Sequence, residues 1–321
     1  MPKRVRLLRL PLVLVWLLAV VGGCTPPGEK VVAEPAGAAE MLGDLRTVDP
    51  CTLTDPAALA HVGVARSAAT VSLDYCLLHV ELPDGSLAQL SVGELERVPP
   101  GPPSGPVRQH GALRLRHDAP IPGHCARPLL FGDGIAMNVS ADLLSGDPGA
   151  GLCGVAQAGA EFAAEVVQRG EVGHHRFPAD SLALVDPCAV LDTAVVAQVP
   201  GLADAEPVSA PARHQCRWGE PAADAPRIQY SHTAGAPPTV LHGAAVEEVI
   251  AGRRTVLSVV GGDPSVPLCS AETAHRPFGD PASGQVEVAM LVVAVPGETG
   301  IDACEYARGL AAATWPRLPA A

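Results

Sequence analysis

Nine cysteines are the residues best placed for covalent chemistry in this chain of 321 residues, and their spacing divides them. Cys24 stands apart, in the run Val21-Gly22-Gly23-Cys24. The other eight fall as two sets of four, Cys51, Cys76, Cys125, Cys153 and then Cys188, Cys216, Cys269, Cys304. Their separations are 25, 49 and 28 residues, and 28, 53 and 35. No Cys-x-x-Cys pair offers the thiolate spacing of a zinc site, so neither a metal nor another cofactor is expected. An even number of cysteines outside the cytoplasm points to disulfides. The expected pairing joins first to second and third to fourth in each set, although three pairings per set are compatible with the sequence.

The histidines are the next candidates. His174-His175 could approach a metal, but adjacent side chains in a loop point apart, and a solvated linker is the expectation. His110, His117 and His124 are seven apart, yet Pro120 and Pro122 prevent one continuous helix. His232 and His242 flank a proline-containing loop and read as exposed. There is no Gly-x-Ser-x-Gly elbow and no His-Glu-x-x-His helix. Gly261-Gly262-Asp263-Pro264 lacks the spacing of a phosphate loop, and Asn138-Val139-Ser140 sits where a strand is expected. No catalytic, cofactor-binding or metal-binding residue is therefore assigned, and the chain reads as non-catalytic.

Cys24 carries an address instead. Lys3, Arg4, Arg6 and Arg9 precede a twelve-residue apolar stretch, residues 10–21, and Thr25-Pro26-Pro27-Gly28 follows the cysteine. A basic start, a short apolar middle and small residues before the cut form a secretory signal. The cut site resembles a bacterial lipobox, in which the cysteine is lipidated and becomes the new N-terminus. A membrane span needs about 20 apolar residues, more than this stretch provides. Attachment to the outer face of the cytoplasmic membrane through acyl chains on Cys24 is the expectation.

Cleavage before Cys24 leaves 18 Lys and Arg against 34 acids, a charge of −16 compared with −12 for the whole chain. Such a surface repels phosphate backbones, so no nucleic-acid partner is expected. Aromatic residues make up 3% of the chain while 48% is hydrophobic, so the core must be built largely of Val, Leu and Ala.

The two cysteine sets predict an internal duplication. Val48-Asp49-Pro50-Cys51 matches Val185-Asp186-Pro187-Cys188, and Asp-Pro is a helix-start signal. Cys51, Thr54, Ala58 and Val62, with Cys188, Leu191, Val195 and Val199, fit one face of an opening helix, leaving Asp55 and Asp192 on the other. Alternation predicts a strand with Cys76, Leu78, Val80 and Leu82 on one face, matched by Cys216 and Trp218. Ala88, Leu90 and Val92 correspond to Ile228 and Tyr230, and residues 112–116 to residues 255–260. Ile135, Met137 and Val139 are set against Val288, Met290 and Val292. Each set closes on an Ala-rich helix, residues 153–167 and 304–315.

The predicted class is α+β: two similar disulfide-stapled domains, each an antiparallel sheet with an opening and a closing helix. The expected boundaries are a signal peptide over 1–23, a flexible tether over 24–43 and a first repeat over 44–169. A linker over 170–183 and a second repeat over 184–321 complete the chain. Residues 99–106, rich in proline, are expected to form a loop.

The Asp-Pro-Cys start, the later Cys216-Arg217-Trp218 and the lipobox resemble an actinobacterial lipoprotein family of the domain-of-unknown-function 3558 type, here in tandem. Such chains are also similar to the extracellular sensor domains of mycobacterial receptor kinases. The resemblance implies no catalytic residues. It agrees with a lipid-anchored module that binds an envelope ligand or protein. An accessory protein of an envelope complex and an envelope hydrolase are the alternatives. Arg114/Arg116 and Arg253-Arg254 could meet an anionic envelope component, or simply form solvated strand edges.

Overall fold

Alternating apolar residues build one antiparallel sheet in each half of the chain. The computed structural model describes residues 36–68, 72–149, 151–222, 224–240, 245–260, 266–295 and 302–320. The first half contains α1 (Ala38–Leu42), β1 (Val64–Ser67), β2 (Cys76–Glu81), β3 (Leu87–Arg97), β4 (Val107–His110) and β5 (Leu113–Arg116). It continues with β6 (His124–Ala126), β7 (Leu129–Leu130), β8 (Ile135–Ser145) and α2 (Leu152–Arg169). The second half contains α3 (Pro187–Val190), α4 (Thr193–Val196), β9 (Val208–Ser209), β10 (Gln215–Gly219), β11 (Arg227–Gly235) and β12 (Ala245–Ile250). It ends with β13 (Arg253–Val260), β14 (Leu268–Pro277), β15 (Val286–Ala294) and α5 (Ala303–Thr314). Residues 35–321 form one compact unit.

The duplication is present in the strand order. The first sheet runs β1-β2-β3-β8-β7-β5-β4 with β6 also on β8, and the second runs β9-β10-β11-β15-β14-β13-β12. The orders coincide once β14 takes the place of β6 and β7. Register agrees as well. Cys76 lies opposite Val92, Val92 opposite Val139, and Cys125 opposite Ala141. Cys216 lies opposite Tyr230, Tyr230 opposite Leu291, and Cys269 opposite Val293.

That register corrects one expectation. Val139 corresponds to Leu291 and not to Val292, so Ile135, Met137 and Val139 match Glu287, Ala289 and Leu291. A slip of one residue moves every side chain to the opposite face of a strand. Glu287 therefore occupies a core-facing position, where Ile135 stands in the first half.

The disulfides are Cys51–Cys76, Cys125–Cys153, Cys188–Cys216 and Cys269–Cys304, all within one half and all first-to-second or third-to-fourth. Each closing helix lies on its sheet with small residues inward. Gly159 of α2 sits so close to Leu90 that a Cβ there would meet its Cδ2 at 2.8 Å. In α5, Asp302 caps the Cys304 amide at 2.8 Å, and Ala307, Leu310 and Ala311 are buried. The indole of Trp315 beyond it donates to Thr255 Oγ1 at 3.0 Å. The core is Val, Leu and Ala-rich in both halves, yet Trp218, Trp315, Tyr230 and Phe131 are its largest fully buried side chains.

Three other expectations are corrected. The opening helix is two short turns in each half, 3-10 over Pro50–Leu53 and Pro56–Leu59, and α3 with α4 in the second. Thr54 and Leu191 are extended, and Asp55 and Asp192 restart the chain by capping Ala57 and Ala194 at 2.8 and 2.9 Å. Pro56 disfavours a helical Asp55, so one continuous helix cannot form there. The end of the segment read as a tether is also ordered: Ala38 and Leu42 of α1 are buried in the first core, and Asp133 accepts from the Ala38 amide at 2.9 Å. Finally, the stretch read as a solvated linker runs back along the start of the first half. Asp49 donates to the Gly173 carbonyl, His175 donates to that of Thr47, and the Gly173 amide donates to Thr52 Oγ1.

Candidate functional site

Asp74 and His214 occupy the same position in the two halves, two residues ahead of Cys76 and Cys216. They meet each other, with Nδ1 of His214 2.7 Å from Asp74 Oδ1. Nε2 of His214 faces the Ala183 carbonyl at 3.2 Å, and the ring is buried. Nearby, Glu287 accepts from Ser181 Oγ at 2.6 Å and from the Leu182 amide at 2.7 Å, which fixes the connecting segment. Leu73, Ala183 and Ala234 pack together, with Phe177 and Phe278 against them. These contacts hold the two halves side by side.

His232, expected to be exposed, is fully buried here, because its position on β11 faces the core. Its Nδ1 lies 3.0 and 3.1 Å from the carbonyls of Leu182 and Val185, so it carries the proton. Nε2 then accepts from the Tyr230 hydroxyl at 2.8 Å. Burial, aided by His214 and His275, lowers its pKa to about 3 against the opposing pull of the two carbonyls. Burial also raises the Tyr230 hydroxyl.

Beside the Asp74–His214 pair, β3 departs from its counterpart. Val92 opposes Val139 and Leu95 opposes Met137, so Gly93 and Glu94 together face the single residue Asn138. In the second half Ser231 alone faces Met290. This is a β-bulge, and the extra residue is Glu94. Gly93 has φ +135°, and a Cβ there would meet the Asp74 carbonyl oxygen at 2.5 Å and Pro50 Cβ at 2.8 Å. Only glycine fits, and the resulting bend turns Glu94 outward while Leu95 stays in the core.

Glu94 turns toward a cleft of about 660 Å³ between the halves. Residues 94–104 of β3 and the proline-rich loop form one wall, with Arg116 beside them. Val208, Ser209, Ala210, Pro211, Gln215, Arg217 and Pro221 form the other. Glu94 is exposed by surface area but crowded by protein, and this crowding, with the charges of Asp74 and Glu96, raises its carboxyl above the ordinary range. Across the cleft, half-buried Arg217 has no acceptor among the described residues, and its Nε is buried without a partner. Arg116 is spoken for, its guanidinium held by Asp118 at 2.7 and 3.0 Å.

Of the other arginines proposed as anion contacts, Arg253 and Arg254 are likewise engaged. Arg253 donates to the Pro319 carbonyl, and Arg254 pairs with Glu247 at 2.5 Å and donates to the Pro238 carbonyl. Arg114 turns a buried Nε inward with no protein partner. His174 contacts Thr47 Oγ1 at 2.9 Å, and His175 lies 3.5 Å from Asp49 between Phe177 and Phe278, where burial lowers its pKa. The two therefore point to different partners. His124 pairs with Asp142 at 2.6 Å at the surface, and desolvation lowers His117. Cys24, His242 and Gly261-Gly262-Asp263-Pro264 lie outside the described residues.

An Asp–His pair acts as a base when its far nitrogen faces a nucleophile, and that of His214 faces a carbonyl. Among the described residues no group of three His, Cys, Asp or Glu is placed to hold a metal ion, and no helix is long and apolar enough to cross a membrane. The cleft itself was not visible in the sequence, because its walls come from segments more than 100 residues apart. Its one local signal is Gly93 inside an alternating strand. No family model, curated protein or solved structure matches this chain.

Proposed function

We propose that this chain is an extracytoplasmic, lipid-anchored, non-catalytic module that binds an envelope ligand in the cleft between its halves. The observation that supports it most is the opposition of a crowded Glu94 to an unpartnered Arg217 across a cavity of about 660 Å³. That volume lies within the range of small-molecule sites, which favour boundaries between packed units. Uncompensated charge inside a cleft is unfavourable for the protein alone, and a ligand removes the deficit. Anchoring is supported by Val21-Gly22-Gly23-Cys24 and the basic, short apolar leader before it.

The test is native mass spectrometry of the detergent-purified full-length chain after exposure to small-molecule envelope extracts. A retained molecule that is lost when Ser209→Trp fills the cleft supports the reading. No retained mass, or equal retention by the variant, removes it. Anchoring is checked separately by palmitate labelling, which Cys24→Ala should abolish.

A second reading, an accessory protein of an envelope complex, draws on edge strand β12, where Val246 and Val249 are 50% and 74% exposed. An edge strand leaves backbone donors and acceptors open to a partner strand. Cross-linking in cells from position 249 would capture one stable neighbour on this reading.

A further inference from the structure

We infer that the cleft selects a zwitterion, a short peptide with free ends, whose carboxylate meets Arg217 and whose ammonium meets Glu94. The inference rests on the cleft being the binding site. Its starting point is which charges around the cavity already have partners. Asp118 holds Arg116, His214 holds Asp74, and Asp186 lies 3.7 Å from Arg213. Glu96 and Arg97 also line the first wall without an ion pair among the described residues, but both are solvent-exposed side chains near the end of β3. Glu94, turned out by the bulge, and half-buried Arg217 are the charged groups set on opposite walls.

Each lacks what the opposite end of a zwitterion carries. Crowding by protein, and after it the charges of Asp74 and Glu96, disfavour the Glu94 carboxylate, and a ligand ammonium would offset both. Arg217 lines the opposite wall, and a guanidinium pairs best with a planar carboxylate in a two-point contact. A purely anionic ligand would satisfy Arg217 while adding to the repulsion at Glu94. A purely cationic one would do the reverse. The cleft is also lined by Pro99, Pro100, Pro102, Pro103, Pro211 and Pro221. Their nitrogens offer no amide donors, so recognition of a ligand's charged ends falls to the side chains on the two walls.

Oligoalanines test this directly, because each end can be blocked alone. Binding of tetraalanine, N-acetyl-tetraalanine and tetraalanine amide to the detergent-purified full-length chain would be measured by calorimetry, with the tri- and pentapeptides as a length series. Free tetraalanine should bind, and each blocked form should bind at least about ten-fold more weakly, a difference of about 1.4 kcal/mol. Arg217→Ala should erase the penalty for amidation and keep that for acetylation. Glu94→Gln should do the opposite. Thermal melts and the disulfide map of both variants verify that they fold. Equal binding of blocked and free peptides, or penalties that neither substitution changes, would overturn the inference. If no oligoalanine binds but an extract molecule is still lost in Ser209→Trp, the cleft stands and the zwitterion falls. If Ser209→Trp leaves tetraalanine binding intact, both fall.

Discussion

Glu94 owes its place to the glycine before it. Gly93 holds φ +135° against the Asp74 carbonyl, and the bulge inserts one residue that β11 lacks. Gly93→Ala should therefore cost roughly 2 kcal/mol or more, from a strained backbone and the 2.5 Å approach of a Cβ to oxygen. Urea denaturation measures this, and an unchanged midpoint would mean that the bulge relaxes freely. Glu94→Gln should raise the urea midpoint at pH 7, because it removes a charge disfavoured by burial and then by Asp74 and Glu96. A residue that binds at the expense of stability behaves in this way.

His232 gives a second titration at this scale. Its pKa of about 3 lies below the value of about 6.5 in an unfolded chain. Between these values the unfolded state binds a proton that the folded state refuses, so its contribution to stability is present above about pH 6.5. It is lost as pH falls, at up to roughly 1.4 kcal/mol per pH unit, until about pH 3. Nitrogen chemical shifts of the ring should stay those of a neutral imidazole from pH 8 to pH 4. A midpoint near 6 would contradict the burial described. Exposure of this histidine was misjudged from sequence because the nearby prolines suggested a loop, whereas alternation from Tyr230 places it inward.

At the scale of elements, the cysteine frames carried most of the fold. Their order, the alternation around Cys76 and Cys216 and the Ala-rich closing segments were enough for two α+β sheets with terminal helices. What local patterns missed was register and continuity. Val288, Met290 and Val292 alternate as well as Glu287, Ala289, Leu291 and Val293 do, and a carboxylate among the second set hid the true core face. Ser181 and the Leu182 amide, distant in sequence, are what make Glu287 acceptable there. The opening helices failed for a nearer reason, since Asp55 and Asp192 cap new turns. Non-reducing peptide mapping should recover four bridges, none joining residues 51–153 to residues 188–304. Removing Cys125–Cys153, which closes a loop of 28 residues, should cost roughly 3 kcal/mol, read from the shift in the urea midpoint.

As a whole molecule, the chain has two halves of matching strand order that depend on each other. Asp74 and His214 stand at equivalent positions and form one pair around a buried imidazole, and the connecting segment is tied to both halves. Unfolding should be a single transition, and Asp74→Ala should lower stability by about 1–3 kcal/mol by leaving His214 without its acceptor. Two separated transitions in the native chain would show that the halves fold independently. The same side-by-side arrangement creates the cleft, and that is why neither half alone displays the site.

Hydrogen exchange of the full-length chain, with and without envelope extract, addresses the binding claim most directly. Protection should rise in residues 94–104 and 208–217, the two walls of the cleft, and the rise should vanish in Ser209→Trp. Protection confined to β12 or to the surfaces of α2 and α5, with the cleft walls unchanged, would contradict it.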